Sequence, residues 1–169
     1  MNASVLSSRQ RPMIRPYHCT VRILRLGPGD DQVLLAGAEL FDARPTEAWA
    51  EKFLSNEGHH LLVAVEDSGP PVGFISGVET THPDKGTEMF LYELSVDQAH
   101  RNRGIGTALV KSLADLAREL GCYGMWVGTE PDNAAALATY RAAGAAHPEP
   151  FMTLEWSFGA HGAKPEASA

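Results

Sequence analysis

The spacing of hydrophobic and polar residues predicts a chain of alternating strands and helices. Short apolar or alternating runs predict strands, and apolar residues three or four apart predict helices. The clearest helix spans 104–120, where large aliphatic residues form one stripe and Gly121 follows as a C-terminal cap. The predicted strands are 19–26, 60–66, 72–80, 88–96, 122–128 and 150–158, and the predicted helices are 33–41, 46–54, 104–120 and 132–143.

The order of these elements predicts a fold of the α/β (α+β) class. Three consecutive strands followed by a strand–helix–strand unit indicate one mixed sheet with helices on both faces. The chain has 169 residues, enough for one domain with a real core. We place that domain at 19–158, because 1–18 and 159–169 show no periodicity and are expected to be a flexible leader and tail. Trp49 and Phe53 are expected to pack in the core.

Composition and charge exclude several classes of protein. Lys and Arg number 14 against 21 Asp and Glu, a net charge of -7, which argues against nucleic acid and favours a cationic partner. No apolar run is long enough to span a membrane. Cys19 and Cys122 are too few for a disulfide scaffold or a zinc site, and they fit a reducing cytoplasm. Four histidines near predicted loops show no metal-ligand spacing and are expected at the surface: His59, His60, His82 and His100.

A glycine-rich loop, Arg101-Asn-Arg-Gly104-Ile-Gly106, lies between the strand 88–96 and the helix 104–120. Glycines at a helix N-terminus let the backbone approach a ligand, and free N–H groups with the helix dipole favour phosphate. A turn that merely caps the helix is the alternative. The loop does not match a P-loop, because no lysine follows Gly106, and it does not match a dinucleotide fingerprint, because Leu109 stands where a small residue is required.

The pattern Arg-x-x-Gly-x-Gly, in this order of elements, resembles the acyl-CoA loop of the GCN5-related N-acetyltransferases. The resemblance covers about 19–158 and implies that acetyl-CoA is the cosubstrate. It implies that the loop holds the CoA pyrophosphate and that main-chain groups of Leu94 and Val96 pair with the pantetheine arm. The loop residues so implicated are Arg101, Asn102, Arg103, Gly104, Ile105, Gly106 and Thr107.

The helix 132–143 carries a second set of residues that the resemblance implicates. Asn133 and Tyr140 are about two helical turns apart and are expected on one side. The resemblance implies that Asn133 contacts the CoA arm and that Tyr140 protonates the departing thiolate. A helix cap at Asn133 and a packing role for Tyr140 are the alternatives.

Glu93 stands out as a candidate general base. It lies inside the otherwise apolar stretch MFLYELSV. Burial among apolar neighbours raises a carboxyl pKa toward the range useful for taking a proton from an amine. A glutamate at the sheet edge with its carboxylate in water is the alternative.

The stretch from Phe90 to Leu109 is similar to the aminoglycoside 3-N-acetyltransferase branch of the family, with Glu93 in place of an aspartate. The branch implies a polycationic acceptor in a cleft lined by carboxylates, although Asn133 replaces an acid. The acids at strand ends or in adjacent loops that could line it are Glu79, Glu88, Glu93, Glu130, Asp132 and Glu155.

The sequence therefore predicts an acetyl-CoA-dependent N-acetyltransferase that modifies an amine of aminoglycosides. The same chemistry on another small amine, a polyamine or a protein N-terminus is the nearest alternative. A CoA-binding sensor without catalysis is a second one, although such a protein would need neither Glu93 nor Tyr140. A homodimer through the strand 150–158 is a further expectation.

Overall fold

A five-stranded mixed sheet forms the centre of the computed structural model, which describes residues 21–67, 69–150, 152–156 and 158. The strands follow chain order across the sheet, antiparallel except that the last is parallel to its neighbour. They are β1 (Val21–Leu26), β2 (His59–Glu66), β3 (Pro71–His82), β4 (Gly86–Val96) and β5 (Met125–Val127). The helices are α1 (Asp31–Ala36), α2 (Glu47–Leu54), α3 (Ile105–Glu119) and α4 (Ala134–Ala142), with short 3-10 turns at Ala38–Leu40 and Gln98–His100.

Helices cover both faces of the sheet, as the sequence predicts. One face packs α1 and α2 against β2 and β3, through residues such as Leu34, Leu54 and Phe74. The other face packs α3 and α4, with Leu109 and Leu113 fully buried. Because β2 is buried on both faces, it reads as a continuous apolar run and not as an alternation.

Close packing of α3 on the sheet depends on a missing side chain. A Cβ at Gly77 of β3 would lie 2.8 Å from Leu113 of α3 and 2.8 Å from the Met89 sulfur. Any larger residue there has to push the helix or β4 away. Gly77 therefore sets the distance of α3 from the middle of the sheet.

One extra residue interrupts the pairing of β3 with β4. Ser76 faces Glu93 and Gly77 faces Leu91, so Tyr92 has no partner on β3. This arrangement is a β-bulge, which bends a strand and changes which residues point to each side. The bulge divides β4 into a first half that pairs with β3 and β5 and a second half that pairs with β3 alone.

Several expectations differ from the structure. The predicted helix 33–41 breaks at Gly37 into α1 and a 3-10 turn. Trp49 is 62% exposed, not in the core, because it faces solvent on α2 and lies under the Lys52 ammonium. His60 is 1% exposed, not at the surface, because two polar groups bond its ring within the fold.

The predicted strand 150–158 is absent from its described part. Residues 152–156 have no regular secondary structure and 158 has none, while 151 and 157 lie outside the described residues. The apolar residues of this part are exposed. A homodimer through this segment stays a prediction, and the predicted leader and tail lie outside the described residues.

Candidate active site

The loop after the Gln98–His100 turn presents a row of unpaired backbone donors. Asn102 and Gly104 have positive φ angles of 59° and 80°, which turn successive N–H groups toward one side. Among the described residues, no group accepts the N–H of residues 102–107, and the first helical bond runs from Ala108 N to Gly104 O at 2.9 Å. Together with the positive end of the α3 dipole, these donors suit an anion such as a pyrophosphate.

Two arginines fix this loop to the sheet. The Arg101 Nε donates to the Val96 carbonyl at 2.9 Å, and the Arg103 guanidinium forms an ion pair with Glu66. The second carboxylate oxygen of Glu66 lies 3.5 Å from His100 Nε2. Both arginines therefore hold the loop in place.

The outer edge of β4 changes after the bulge. In the first half, the Met89 N–H points toward β5 and donates to a carbonyl just before that strand at 2.9 Å. Directly after the second half, the Asp97 N–H points toward β3 and donates to a carbonyl there at 2.9 Å. By alternation, the backbone groups of Leu94 and Val96 face the β5 side, where β5 no longer pairs with β4. Their N–H groups are therefore open to an extended ligand.

Gly106 lies where the loop, β4 and α4 meet. A Cβ at this position would be 3.3 Å from Thr139 Cγ2, 3.8 Å from Val96 Cγ2 and 3.9 Å from Leu94 Cδ2. The three predicted parts of the cosubstrate site thus come together at one end of the sheet. Because glycine has no side chain, space remains between them for a ligand to pass from the loop to β4.

The two predicted residues of α4 have different surroundings. Asn133 caps the helix, because its side-chain oxygen accepts the Ala136 N–H at 3.0 Å, so its amide nitrogen remains as a donor for a ligand. Tyr140 is half-buried against the core of α3 and lines a pocket of about 200 Å³ between α3, α4 and β5. Burial raises the pKa of the Tyr140 phenol, which therefore stays protonated at neutral pH.

Glu93 is half-buried just beyond the bulge. Its backbone N–H donates to the Ser76 hydroxyl at 3.1 Å. Burial raises the pKa of its carboxyl, and the nearby negative charge of Asp42 raises it further. Among the described residues, no cation forms an ion pair with this carboxyl, so a cationic ligand would find two uncompensated carboxylates here.

Glu93 and Tyr140 lie on opposite faces of the sheet. Leu94 and Val96 pack against the α3 core, so the side chain of Glu93 points to the face of α1 and α2. Tyr140 packs on the α3 face. The open edge of β4 lies between them, so a group held along that edge would have the Glu93 carboxyl on one side and the Tyr140 phenol on the other.

The remaining predicted acids do not all join this site. Glu79 lies opposite Met89 on the α3 face, where buried His60 bonds it at 2.8 Å. Glu88 accepts hydrogen bonds from Tyr123 and Trp126. The structure does not bring either one to Glu93. Exposed acids in the loop before α4 and in the C-terminal segment are Glu130, Asp132 and Glu155.

The model of the acetyltransferase (GNAT) family matches residues 31–145, more than half of the chain. The chain belongs to this family. Within the described residues, no three His, Cys, Asp or Glu side chains come together as metal ligands. No helix in the same part of the chain is long and apolar enough to cross a membrane.

Curated GNAT relatives include proteins that act on different amines. An L-2,4-diaminobutyric acid acetyltransferase of Streptomyces coelicolor is 34% identical over 89 residues, 52% of this chain and 49% of that protein. The N-alpha-acetyltransferase RimI of Mycobacterium tuberculosis is 33% identical over 110 residues, 63% of this chain and 66% of that protein. The chain spans about half the length, or less, of the diaminobutyric acid acetyltransferases it matches.

A solved structure shows the same fold. It is an aminoglycoside acetyltransferase from an uncultured soil metagenomic sample, with a TM-score of 0.75 and 20% identity. The match covers 82% of this chain and 97% of that one. At this level of identity the likeness shows the fold of a GNAT domain, and it leaves the acceptor open.

Sequence reasoning missed two polar residues beside Glu93 in this candidate site. Ser76 is buried on β3 beside Glu93. A single serine inside an apolar strand does not indicate from the sequence that it contacts another strand. Asp42 follows Phe41, whose ring stacks on Phe74 of β3 at 4.2 Å between centroids and holds the loop near Glu93. An acid after an aromatic residue in the loop between α1 and α2 was the available clue for Asp42.

Proposed function

We propose that this protein transfers the acetyl group of acetyl-CoA to an amine of a small polycationic acceptor, an aminoglycoside. The observation that carries the proposal is the open edge of β4, with free N–H groups from the loop residues 102–107 and along β4 beside Glu93. The loop donors and the N–H groups of Leu94 and Val96 fit the phosphates and the amide-containing arm of CoA.

Glu93 acts as the general base in this proposal. An ammonium has no lone pair, so the acceptor amine has to lose a proton before it attacks the thioester carbonyl. The raised pKa of the Glu93 carboxyl brings it closer to the pKa of the amine, which favours the transfer, directly or through one water. Nitrogen forms the new amide bond as the carbon–sulfur bond breaks.

Tyr140 acts as the general acid in the same step. Its phenol donates a proton to the departing sulfur, so the thiol and not the thiolate leaves. Main-chain N–H groups on the β4 edge polarise the thioester carbonyl. Asn133 holds the arm through its amide nitrogen, and Ile105, Gly106 and Thr107 complete the pyrophosphate site at the start of α3.

A polycationic acceptor fits the charges on the Glu93 side of the sheet. Glu93 and Asp42 are close enough for one carboxylate to raise the pKa of the other. A substrate with several ammonium groups relieves this repulsion, and the net charge of -7 attracts it over longer distances. Glu130, Asp132 and Glu155 are proposed as outer contacts, and the 3-amino group is the proposed site of acetylation.

A smaller diamine is the second candidate acceptor. The relatives named L-2,4-diaminobutyric acid acetyltransferases favour it, since such a substrate carries two amines and one of them could meet Asp42. A protein N-terminus is the third candidate, in view of the relative RimI.

Release of free thiol from acetyl-CoA by the full chain tests these candidates. The panel contains gentamicin-like, kanamycin-like and apramycin-like compounds, 2,4-diaminobutyrate, spermidine and a short peptide. Turnover with an aminoglycoside, followed by location of the acetyl group by NMR, is the expected result. Turnover confined to another amine keeps the reaction and replaces the acceptor, and CoA binding without any turnover contradicts the proposed enzyme.

A further inference from the structure

Ser76 is one of two buried polar side chains among the described residues, the other being His60. It lies on β3, directly opposite Glu93, and is 1% exposed. Its hydroxyl oxygen accepts the Glu93 N–H at 3.1 Å. A buried hydroxyl costs free energy unless it is bonded, so its presence between apolar residues calls for a role.

The bond of Ser76 lies at the point where the bulge changes the strand. Tyr92 is the extra residue, and Glu93 is the first residue after it. Without the bulge, alternation from Met89 would turn the Glu93 N–H toward β5 and its side chain toward α3. The Ser76 hydroxyl holds this N–H on the β3 side.

The surroundings leave β3 little freedom at this point. Gly77, the next residue, is in such close contact with α3 and β4 that even a Cβ would lie 2.8 Å from two side chains. The hydroxyl of Ser76 is therefore held at a fixed distance from the backbone of β4. Tyr92, the extra residue of the bulge, is 62% exposed.

We propose that Ser76 is a positioning residue: its hydroxyl fixes the bulge at Tyr92 and thereby the orientation of Glu93 and of the open β4 edge. The assignment rests on the proposed function for its catalytic consequence. Ser76 touches neither acceptor nor thioester, and it acts through the main chain of Glu93.

Ser76→Ala tests this role, with Thr87→Val as the matched control. Thr87 makes another hydroxyl contact between β3 and β4, to Thr81 at 3.0 Å, but far from the bulge. We expect Ser76→Ala to lower kcat about tenfold, since a misplaced base loses part of the usual 10²–10⁴ effect of such groups. Thr87→Val should keep kcat within about twofold, and Ser76→Cys, with a weak acceptor of similar size, should recover part of the rate.

The pH profile separates positioning from a loss of stability. In Ser76→Ala the Glu93 carboxyl can relax toward water, so the acid limb of kcat/KM moves to lower pH. Asp42, the charged group that acts on Glu93 from the neighbouring loop, is unchanged in this variant. A merely destabilised protein, measured well below its melting temperature, would keep the limb where it is.

Amide hydrogen exchange tests the role of Ser76 without a measurement of enzyme turnover. The Glu93 N–H should be protected in the wild-type protein and exchange at least tenfold faster in Ser76→Ala, but not in Thr87→Val. An unchanged Glu93 amide, or an unchanged kcat and acid limb, overturns the role of Ser76. If the wild-type protein acetylates no amine, the proposed function fails, and the exchange result still decides whether Ser76 holds the bulge.

Discussion

The two halves of β4 differ in how completely their polar groups are satisfied. In the first half, backbone groups pair with β3 and β5, and Glu88 accepts hydrogen bonds from Tyr123 at 2.6 Å and Trp126 at 3.1 Å. In the second half, no strand pairs with the outer edge, and among the described residues no cationic side chain forms an ion pair with Glu93. The first half maintains the fold, and the second half has donors and a carboxylate left for a ligand.

The same contrast appears in the pKa values of the two glutamates. Hydrogen bonds from Tyr123 and His82 lower the pKa of Glu88, and the same hydrogen bond to Glu88 raises the pKa of Tyr123 to about 12. Burial raises the pKa of Glu93. A lowered carboxyl pKa stabilises the folded state at neutral pH, whereas a raised one destabilises it. A side chain that costs stability in this way is a candidate for function.

The largest expected effect comes from exchanging these two glutamates for glutamine. Glu93→Gln should lower kcat about 100-fold or more, because the base is lost, with little change in the affinity for acetyl-CoA. Its melting temperature should be equal or higher at pH 7, because the buried charge is gone. Glu88→Gln should do the reverse, with lower stability and nearly full turnover. Steady-state kinetics and thermal unfolding check both variants, and a full-rate Glu93→Gln removes Glu93 as the base.

The next largest effects are expected from substitutions of two glycines, one in β3 and one at the start of α3. Gly77→Ala should destabilise the fold by about 1–3 kcal/mol, because the added methyl overlaps Leu113 and Met89. Gly106→Ala should unfold more nearly like the wild type, since its closest contact, the Thr139 methyl, is at 3.3 Å and not at 2.8 Å, but should raise the KM for acetyl-CoA. Denaturant unfolding and kinetics separate the two effects. Equal KM values for the wild type and Gly106→Ala would show that acetyl-CoA does not pass beside Gly106.

Tyr140→Phe should have a smaller effect on the rate. Water can replace the phenol as proton donor, so we expect a loss in kcat of about tenfold, below the usual range for such groups. Because the pKa of Tyr140 is raised, the wild-type rate should show no alkaline limb from this residue near neutral pH. Measurement of kcat from pH 6 to pH 10 checks both points, and unchanged kcat would leave Tyr140 a packing residue.

The smallest effect concerns a buried histidine of β2, on the α3 face of the sheet. His60 accepts from Arg25 at 3.1 Å and donates to Glu79 at 2.8 Å, and burial lowers its pKa. Since the unfolded protein then binds more protons, stability is full above the ordinary histidine pKa of 6.5 and falls as the pH drops through the lowered one. His60→Gln should reduce the change of the free energy of unfolding with pH in this range without changing kcat. If the pH dependence of stability stays the same in His60→Gln, other groups cause it.

The sequence predicted the elements well because they depend on local patterns. The stripe of α3 and the apolar runs of β2, β3 and β4 are each visible within about ten residues, and the mixed sheet follows from their order. The loop at Gly104 was also visible, because two glycines and a helix start lie together.

The parts that the sequence did not predict depend on contacts between distant residues. The bulge at Tyr92 involves Ser76 of another strand, and the place of Asp42 depends on the stacking of Phe41 on Phe74. His60 was expected at the surface, because its partner Arg25 lies on β1 and cannot be recognised from local sequence. The described part of 150–158 alternates like a strand, but alternation alone supplies no neighbouring strand to pair with.

Amide hydrogen exchange with and without CoA tests the central claim most directly. The account predicts that CoA slows exchange at the N–H groups of Leu94, Val96 and residues 102–107. The N–H of Met89, already bonded to a carbonyl in the loop before β5, should exchange at the same rate in both states. Protection elsewhere, with no change at Leu94, Val96 and the loop, would contradict the account.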